Sequence, residues 1–170
     1  MVQIYTGDGK GKTTAALGLA LRAVGHGWKV VFFQFLKGGG ATGEVAAARR
    51  LAPELELIQC GSGDFIVNRP PSAQEIEQAR AGLAAASIIM ADGRANLVIL
   101  DEVAAAINLG LLEAEAVEEC IRRRASGVEV VLTGREMPPC LVGLADLISE
   151  IHAVKHPFAR TVGARKGIEY

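Results

Sequence analysis

The sequence is poor in cysteine. Cys60, Cys120 and Cys140 are odd in number and none forms a CxxC pair, which excludes a disulfide framework and a zinc site and leaves three reduced thiols. No charge of one sign dominates. With 18 Lys plus Arg against 19 Asp plus Glu and a net charge of −1, the surface has no broad footprint for nucleic acid or anionic lipid, so any anion site must be local. Long apolar runs are missing as well. Residues 30–33 and 96–100 stop far short of the roughly 20 residues that span a bilayer, and the first residues lack the charged start and apolar stretch of a signal peptide. These absences point to a cytoplasmic protein with no membrane and no nucleic-acid partner.

What the chain has is apolar material and glycine. Hydrophobic residues make up 50% of 170 residues, enough for the core of one domain spanning residues 1–170. Glycine is in excess: 20 of 170, against a usual share of about 7%, so bare backbone is needed somewhere. Short β-branched and apolar runs alternate with longer helical stretches, without a repeat or a linker. Strands are predicted over 2–6, 29–35, 55–60, 97–101, 128–133 and 147–154. Helices are predicted over 12–24, 44–51, 72–91 and 113–124, with a turn near 141–144 and an irregular tail over 155–170. Ser72-Ala-Gln-Glu75 fits a capping box. Most of the strands read as continuous apolar runs, which suits parallel strands covered on both faces. The expected fold is therefore α/β, a P-loop NTPase-like three-layer αβα domain around a six-stranded, mostly parallel sheet.

The strongest chemical signal is Thr6-Gly-Asp-Gly-Lys-Gly-Lys-Thr13, between a predicted strand and a predicted helix. Gly7, Gly9 and Gly11 let successive backbone N–H groups turn toward one point where a side chain would obstruct phosphate oxygens. The helix beginning near Lys12 adds its positive dipole end. Lys12 supplies a point charge and the Thr13 hydroxyl is a ligand for Mg²⁺, so the loop reads as a triphosphate cradle. Asp8, Lys10 and Thr14 complete the candidate nucleotide contacts. The general pattern GxxxxGK[ST] wants glycine where Thr6 stands, so this loop is one glycine short and its tight turn falls at Gly7.

The run Asn96-Leu-Val-Ile-Leu-Asp-Glu102 is an apolar strand ending in two carboxylates. At the carboxyl edge of a parallel sheet, Asp101 and Glu102 would face the Mg²⁺ held by Thr13; in a hydrolase, Glu102 would instead orient a water. Gln34-Phe-Leu-Lys-Gly-Gly-Gly40, Gly61-Ser-Gly-Asp-Phe65 and Thr133-Gly-Arg135 follow other strands, so their loops are expected at the same edge. Arg22 and Arg135 are candidate phosphate contacts, and Phe65 a candidate cover for a flat ligand. Ten glycines, at 7, 9, 11, 38, 39, 40, 43, 61, 63 and 134, fall in these loops and read as bare backbone around a ligand. His26, His152 and His156 show no metal spacing.

The chain resembles the P-loop type of ATP:corrinoid adenosyltransferases over almost its whole length. The resemblance rests on the phosphate loop through Ala16, Arg22-Ala-Val-Gly-His-Gly27, Gln34-Phe-Leu-Lys-Gly38, Leu97-Val-Ile-Leu-Asp-Glu102, Leu132-Thr-Gly-Arg135, Val154-Lys-His-Pro-Phe158 and Gly167-Ile-Glu-Tyr170. The glycine-short loop is itself the family's form. The resemblance implies transfer of the 5′-deoxyadenosyl group of ATP to the cobalt of a Co(I) corrinoid with release of triphosphate, and a reductase that supplies the cobalt's electron. It also implies a homodimer, catalytic roles for Lys12, Thr13 and Glu102, Asp8 near the ribose, and Arg22 and Arg135 near phosphates. Relatives often have Asn at Asp8 and a Trp two residues after Phe65; Ile66 and Val67 offer none, so a precursor corrinoid is the expected acceptor ahead of complete cobalamin. Two other readings share the cradle: a P-loop ATPase or kinase, and a non-catalytic nucleotide or corrinoid carrier.

Overall fold

The strands form one sheet because their apolar residues alternate between two helical layers. A computed structural model describes residues 1–40, 42–63, 66, 69–155, 163 and 165–168. Its elements run β1 (Val2–Thr6), α1 (Lys12–Gly25), β2 (Val30–Gln34), α2 (Gly43–Arg50), β3 (Leu55–Gln59), α3 (Ala73–Ala91), β4 (Leu97–Asp101), α4 (Val103–Asn108), α5 (Ala114–Arg122), β5 (Glu129–Thr133), α6 (Pro139–Val142) and β6 (Leu147–Glu150). The sheet order is β3-β2-β4-β5-β1-β6, and every pairing is parallel, so the expected "mostly parallel" becomes wholly parallel. Val30 and Phe32 join α1 and α2 in one core cluster, whereas Val31 and Phe33 join α3 and α5 in the other. That period-two split is why β2, buried at all five positions, has no polar face. Complete burial of Phe32 or Phe33 contributes roughly 1.5–3 kcal/mol each.

Helix α1 lies close to the sheet because its buried face carries Ala16, Ala20 and Ala23. Its first residue, Lys12, is thereby held at the carboxyl ends of the strands. The same edge is crossed by a polar row. Gln59 is in register with Gln34, and Gln34 with Asp101, so three polar side chains end three adjacent apolar strands.

Two features differ from expectation. Helix α4 replaces an expected connection, and β6 ends at Glu150 instead of residue 154. Past β6, the Ile151 carbonyl turns away from sheet pairing and accepts the Gly9 N–H at 2.8 Å, while the Ile151 N–H donates to the Thr6 carbonyl at 2.9 Å. The chain leaving the edge strand is thus clipped onto the phosphate loop. No helix among the described residues is long and apolar enough to cross a membrane.

Candidate functional site

Two of the three loop glycines are there because another backbone touches them. Gly7 has φ +98°, and a Cβ on it would run into the Ile151 carbonyl oxygen; a Cβ on Gly9 would stand 2.8 Å from both that oxygen and the His152 carbonyl carbon. Gly11 differs, with φ +128° and nothing among the described residues within 4 Å of its would-be Cβ. It is the N-cap of α1, directly before the helix's first turn. Lys12, 6% exposed, donates from Nζ to the Gly7 carbonyl at 2.8 Å and the Gly9 carbonyl at 2.9 Å. Burial lowers its pKa, and the Glu102 carboxylate acts in the opposite sense, with the Arg135 charge adding to the lowering.

Thr13 meets the end of β4 directly. Its hydroxyl donates to Asp101 Oδ1 at 2.9 Å, and the Thr133 hydroxyl donates to the same oxygen at 2.7 Å. Thr133 ends β5, the strand that separates β4 from β1, so this one hydroxyl bridges the two halves of the site. It also accepts the Glu102 N–H at 2.8 Å, which fixes Glu102 at the start of α4 in the left-handed region, φ 56°. A non-glycine residue there is strained by about 1–2 kcal/mol. Gly134 lets α4 come close, since a Cβ on it would stand 2.6 Å from Ala104 Cβ.

Both carboxylates are pushed upward by burial, Glu102 additionally by the neighbouring Asp101 charge, while Lys12 and Arg135 draw Glu102 back down. Asp101 is 1% exposed and its Oδ2 is buried with no hydrogen-bond partner among the described residues. An orphaned carboxylate oxygen beside a threonine hydroxyl is a fitting donor set for Mg²⁺, which takes one or two carboxylates and completes its shell with water and phosphate. On the β2 side, Lys37 Nζ donates to Glu44 Oε1 at 2.7 Å, Gln34 Nε2 to the same oxygen at 3.3 Å, and Gln59 Nε2 to Gln34 Oε1 at 3.3 Å. The Lys37 charge acts on Asp101 and Glu102 as well.

Beyond this cradle the loops after β2 and β3 are closed against each other. A Cβ on Gly38 would overlap the Gly61 carbonyl, one on Gly63 would overlap the Gly38 carbonyl, and one on Gly61 would stand 2.8 Å from the Leu36 carbonyl carbon.

A family model described as ATP:corrinoid adenosyltransferase BtuR/CobO/CobP matches residues 1–170. The chain belongs to this family. It is 38% identical over 167 residues to the corrinoid adenosyltransferase of Pseudomonas aeruginosa, covering 98% of this chain and 82% of the relative. It is 35% identical over 170 residues to that of Escherichia coli K12, covering 100% and 85%. Among solved structures, the flagellar accessory protein FlaH from Methanocaldococcus jannaschii shares the fold alone, at 12% identity and a TM-score of 0.58 over 88% of this chain and 69% of that one.

The structure brings Lys12, Thr13, Asp101, Glu102 and Arg135 of this family member to one point, with Gly7, Gly9, Gly11 and the exposed Thr14 lining the loop. Asp8 is turned outward: its Oδ1 accepts the Ala153 N–H at 3.3 Å and lies 3.8 Å from His152 Nδ1. Lys10 reaches the Ile168 carbonyl at 3.5 Å. Arg22 is not brought in. It lies in the last turn of α1, ten residues or about 15 Å of helix axis from Lys12, and its charge acts on Tyr5 instead. Phe65 and His156 lie outside the described residues. The glycine reading needs correction too, because Gly7, Gly9, Gly38, Gly61 and Gly63 pack on protein backbone, and of the three glycines in the loop after β1 only Gly11 meets nothing among the described residues. Sequence reasoning gave no role to Thr133 or Glu44; Thr133 stands in the quoted Thr-Gly-Arg strand end, and its hydroxyl itself meets the β4 carboxylate of Asp101.

Proposed function

We propose that this chain, as an ATP-dependent corrinoid adenosyltransferase, transfers the 5′-deoxyadenosyl group of ATP to the Co(I) centre of a corrinoid and releases inorganic triphosphate. Membership in the family disfavours the ATPase, kinase and carrier readings. The observation that carries the proposal is the convergence of Lys12, Thr13, Asp101 and Glu102 at the carboxyl edge of a chain matched end to end by the family. The cobalt lone pair attacks C5′ and forms the Co–C bond; the C5′–O bond breaks and its electrons leave on triphosphate, so cobalt goes from Co(I) to Co(III). Because the substrate is itself the nucleophile, the protein's part is positioning and leaving-group stabilisation.

Lys12 and the backbone N–H groups of residues 7–13, apart from that of Gly9, which the Ile151 carbonyl accepts, would bind the departing triphosphate. Lys12 exchanges its two carbonyl partners for phosphate oxygens, and Arg135 adds a second charge from the β5 end. Thr13, Asp101 and Glu102 would hold Mg²⁺, which when bound supplies charge neutralisation at the phosphate oxygens. Thr133 keeps Asp101 and Glu102 aimed there. The corrinoid would dock on the β2–β3 side, over the loops 35–40 and 61–63, with Phe65 as a contact and a precursor corrinoid as the better acceptor. Co(I) must be generated by a reductase partner. Residues 1–170 would form a single cytoplasmic domain, consistent with three free thiols. A homodimer is supported by edge strand β6, where Leu147 and Ile148 remain 42% and 47% exposed.

Anaerobic incubation with MgATP and chemically reduced cobinamide or cobalamin tests the activity. The visible spectrum of an adenosylcorrinoid should appear; an unchanged spectrum with both acceptors overturns the reading.

A further inference from the structure

One carboxylate ties together both flanks of the segment that follows β3. Glu75 stands in the first turn of α3 and is 6% exposed. Part of its role is local: the Ser72 N–H donates to Glu75 Oε2 at 2.7 Å and the Ser72 hydroxyl to the same oxygen at 2.9 Å, while the Glu75 N–H donates to Ser72 Oγ at 3.3 Å. That is the capping box read from the sequence, and a box needs nothing more. Glu75 has three further donors. Arg69 grips it as a fork, Nη1 to Oε2 and Nη2 to Oε1, both at 2.8 Å, and the Ser62 hydroxyl donates to Oε1 at 3.2 Å. A planar guanidinium matched to a carboxylate is the strongest ordinary way to hold a buried charge, and it holds the Glu75 carboxyl well below the usual range, with the Ser72 N–H next in effect.

Ser62 and Arg69 are the two ends of residues 62–69. The Ser62 end is also fixed from the other side: the Gly61 N–H donates to the Lys37 carbonyl at 3.0 Å, and Gly61 and Gly63 press against the loop after β2. Lys37 in turn carries the Glu44 ion pair and acts on Asp101 and Glu102. Glu75 is therefore linked through Ser62, Gly61 and Lys37 to the wall beside the phosphate cradle, on the side away from α1.

We propose that Glu75 is a positioning residue for the corrinoid acceptor: held by the Arg69 fork, it fixes Ser62 and with it the Gly61–Lys37 contact of the wall on which the corrinoid docks, without touching the reacting atoms. This rests on the reading that the corrinoid lies over the loops after β2 and β3.

The test uses the full chain and reduced cobinamide, varied at saturating MgATP, with ATP varied in a second series and the thermal midpoint measured alongside. Glu75→Gln and Arg69→Lys should each raise KM for cobinamide at least about fivefold, in the range of lost supporting contacts, with KM for ATP unchanged and kcat altered less than twofold. Ser62→Ala, which spares both the cap and the fork, should give a smaller rise in the same constant. Ser72→Ala breaks the cap and spares the fork; it should lower the thermal midpoint and leave KM for cobinamide at the wild-type value. The proposal is overturned if Glu75→Gln and Arg69→Lys lower only the thermal midpoint, if they raise both KM values alike, or if Ser72→Ala reproduces their effect. Should Glu75→Gln fail to fold, Arg69→Lys decides. A wild-type protein that adenosylates neither cobinamide nor cobalamin would defeat the functional reading itself, before any variant is made.

Discussion

At the carboxyl edge, the loop after β1 and the pair of loops after β2 and β3 are both rich in glycine, and they use it for opposite ends. In the loop after β1, Gly7 and Gly9 let the chain leaving β6 lie against the loop from behind, while Gly11 keeps its front clear. Across the sheet, Gly38, Gly61 and Gly63 fill the space that each other's side chains would have occupied, producing a wall of backbone on backbone. One region is a loop wrapped around the buried Lys12 amine; the other is a closed partition tied through Ser62 to Glu75. Glycine content alone therefore says where backbone must approach something, and only the tertiary neighbours say whether that something is a ligand or the protein itself.

The largest effect that would sharpen this contrast is at Lys12. Lys12→Ala should lower kcat/KM for adenosyl transfer by about 10²–10³-fold, the scale of losing a leaving-group stabiliser, with far-ultraviolet circular dichroism unchanged. Retained turnover would mean that the cradle is misassigned. Next come the glycines. Gly38→Ala should cost about 2–3 kcal/mol of unfolding free energy, because its Cβ meets a backbone carbonyl that cannot step aside, and should weaken corrinoid binding more than ATP binding. Gly11→Ala faces open space and should cost only the about 1–2 kcal/mol of its positive φ, while raising KM for ATP. Urea unfolding and the two KM values would show whether the two regions separate or behave as one.

Thr133→Val ranks third. It removes the bridging hydroxyl and leaves the Asp101 carboxylate with one donor fewer, so about 1–2 kcal/mol of stability should be lost, and kcat/KM should fall about tenfold. The smallest expected effect is on pH dependence. Glu75 has a depressed pKa in the folded protein, so its contribution to stability is present above the ordinary glutamate value of about 4.3 and is lost as pH falls below that toward the folded value. The acid limb of stability should be shallower in Glu75→Gln than in wild type below about pH 4.3; parallel limbs would show that the Arg69 fork contributes nothing. Asp101 and Glu102 act in the reverse sense. Their raised values mean that protonation of both favours the folded chain, and that contribution is lost as pH rises through those values.

Most of the sheet and the phosphate cradle were legible in the sequence because their determinants are local. Strands β2 and β4 are apolar runs closed by one polar residue and buried throughout, β1, β3 and β5 are short and mainly apolar, and the loop's glycines, Lys12 and Thr13 sit at fixed offsets between a strand and a helix. Helix α4 was not legible: it is six residues long, begins from Glu102 in a left-handed conformation and has no side-chain cap. The end of β6 was missed because Ile151 leaves the sheet for Gly9, a contact across 142 residues that no period in the sequence encodes. The capping box at Ser72 was visible as a four-residue pattern, whereas the Arg69 fork and the Ser62 hydrogen bond on the same glutamate depend on how the loop returns. Arg22 shows a converse limit: a residue picked out by type says nothing of where its helix carries it, and α1 sets it ten residues, about 15 Å of axis, from Lys12.

The central claim is that the cradle serves to release intact triphosphate while carbon, not phosphorus, is attacked. Anaerobic reaction of the full chain with MgATP and reduced cobinamide, with the phosphorus products resolved and counted against the cobalt–carbon bond formed, tests this directly. One triphosphate per adenosylcorrinoid, with no ADP, is the expected result; ADP and inorganic phosphate formed without a cobalt–carbon bond would contradict it.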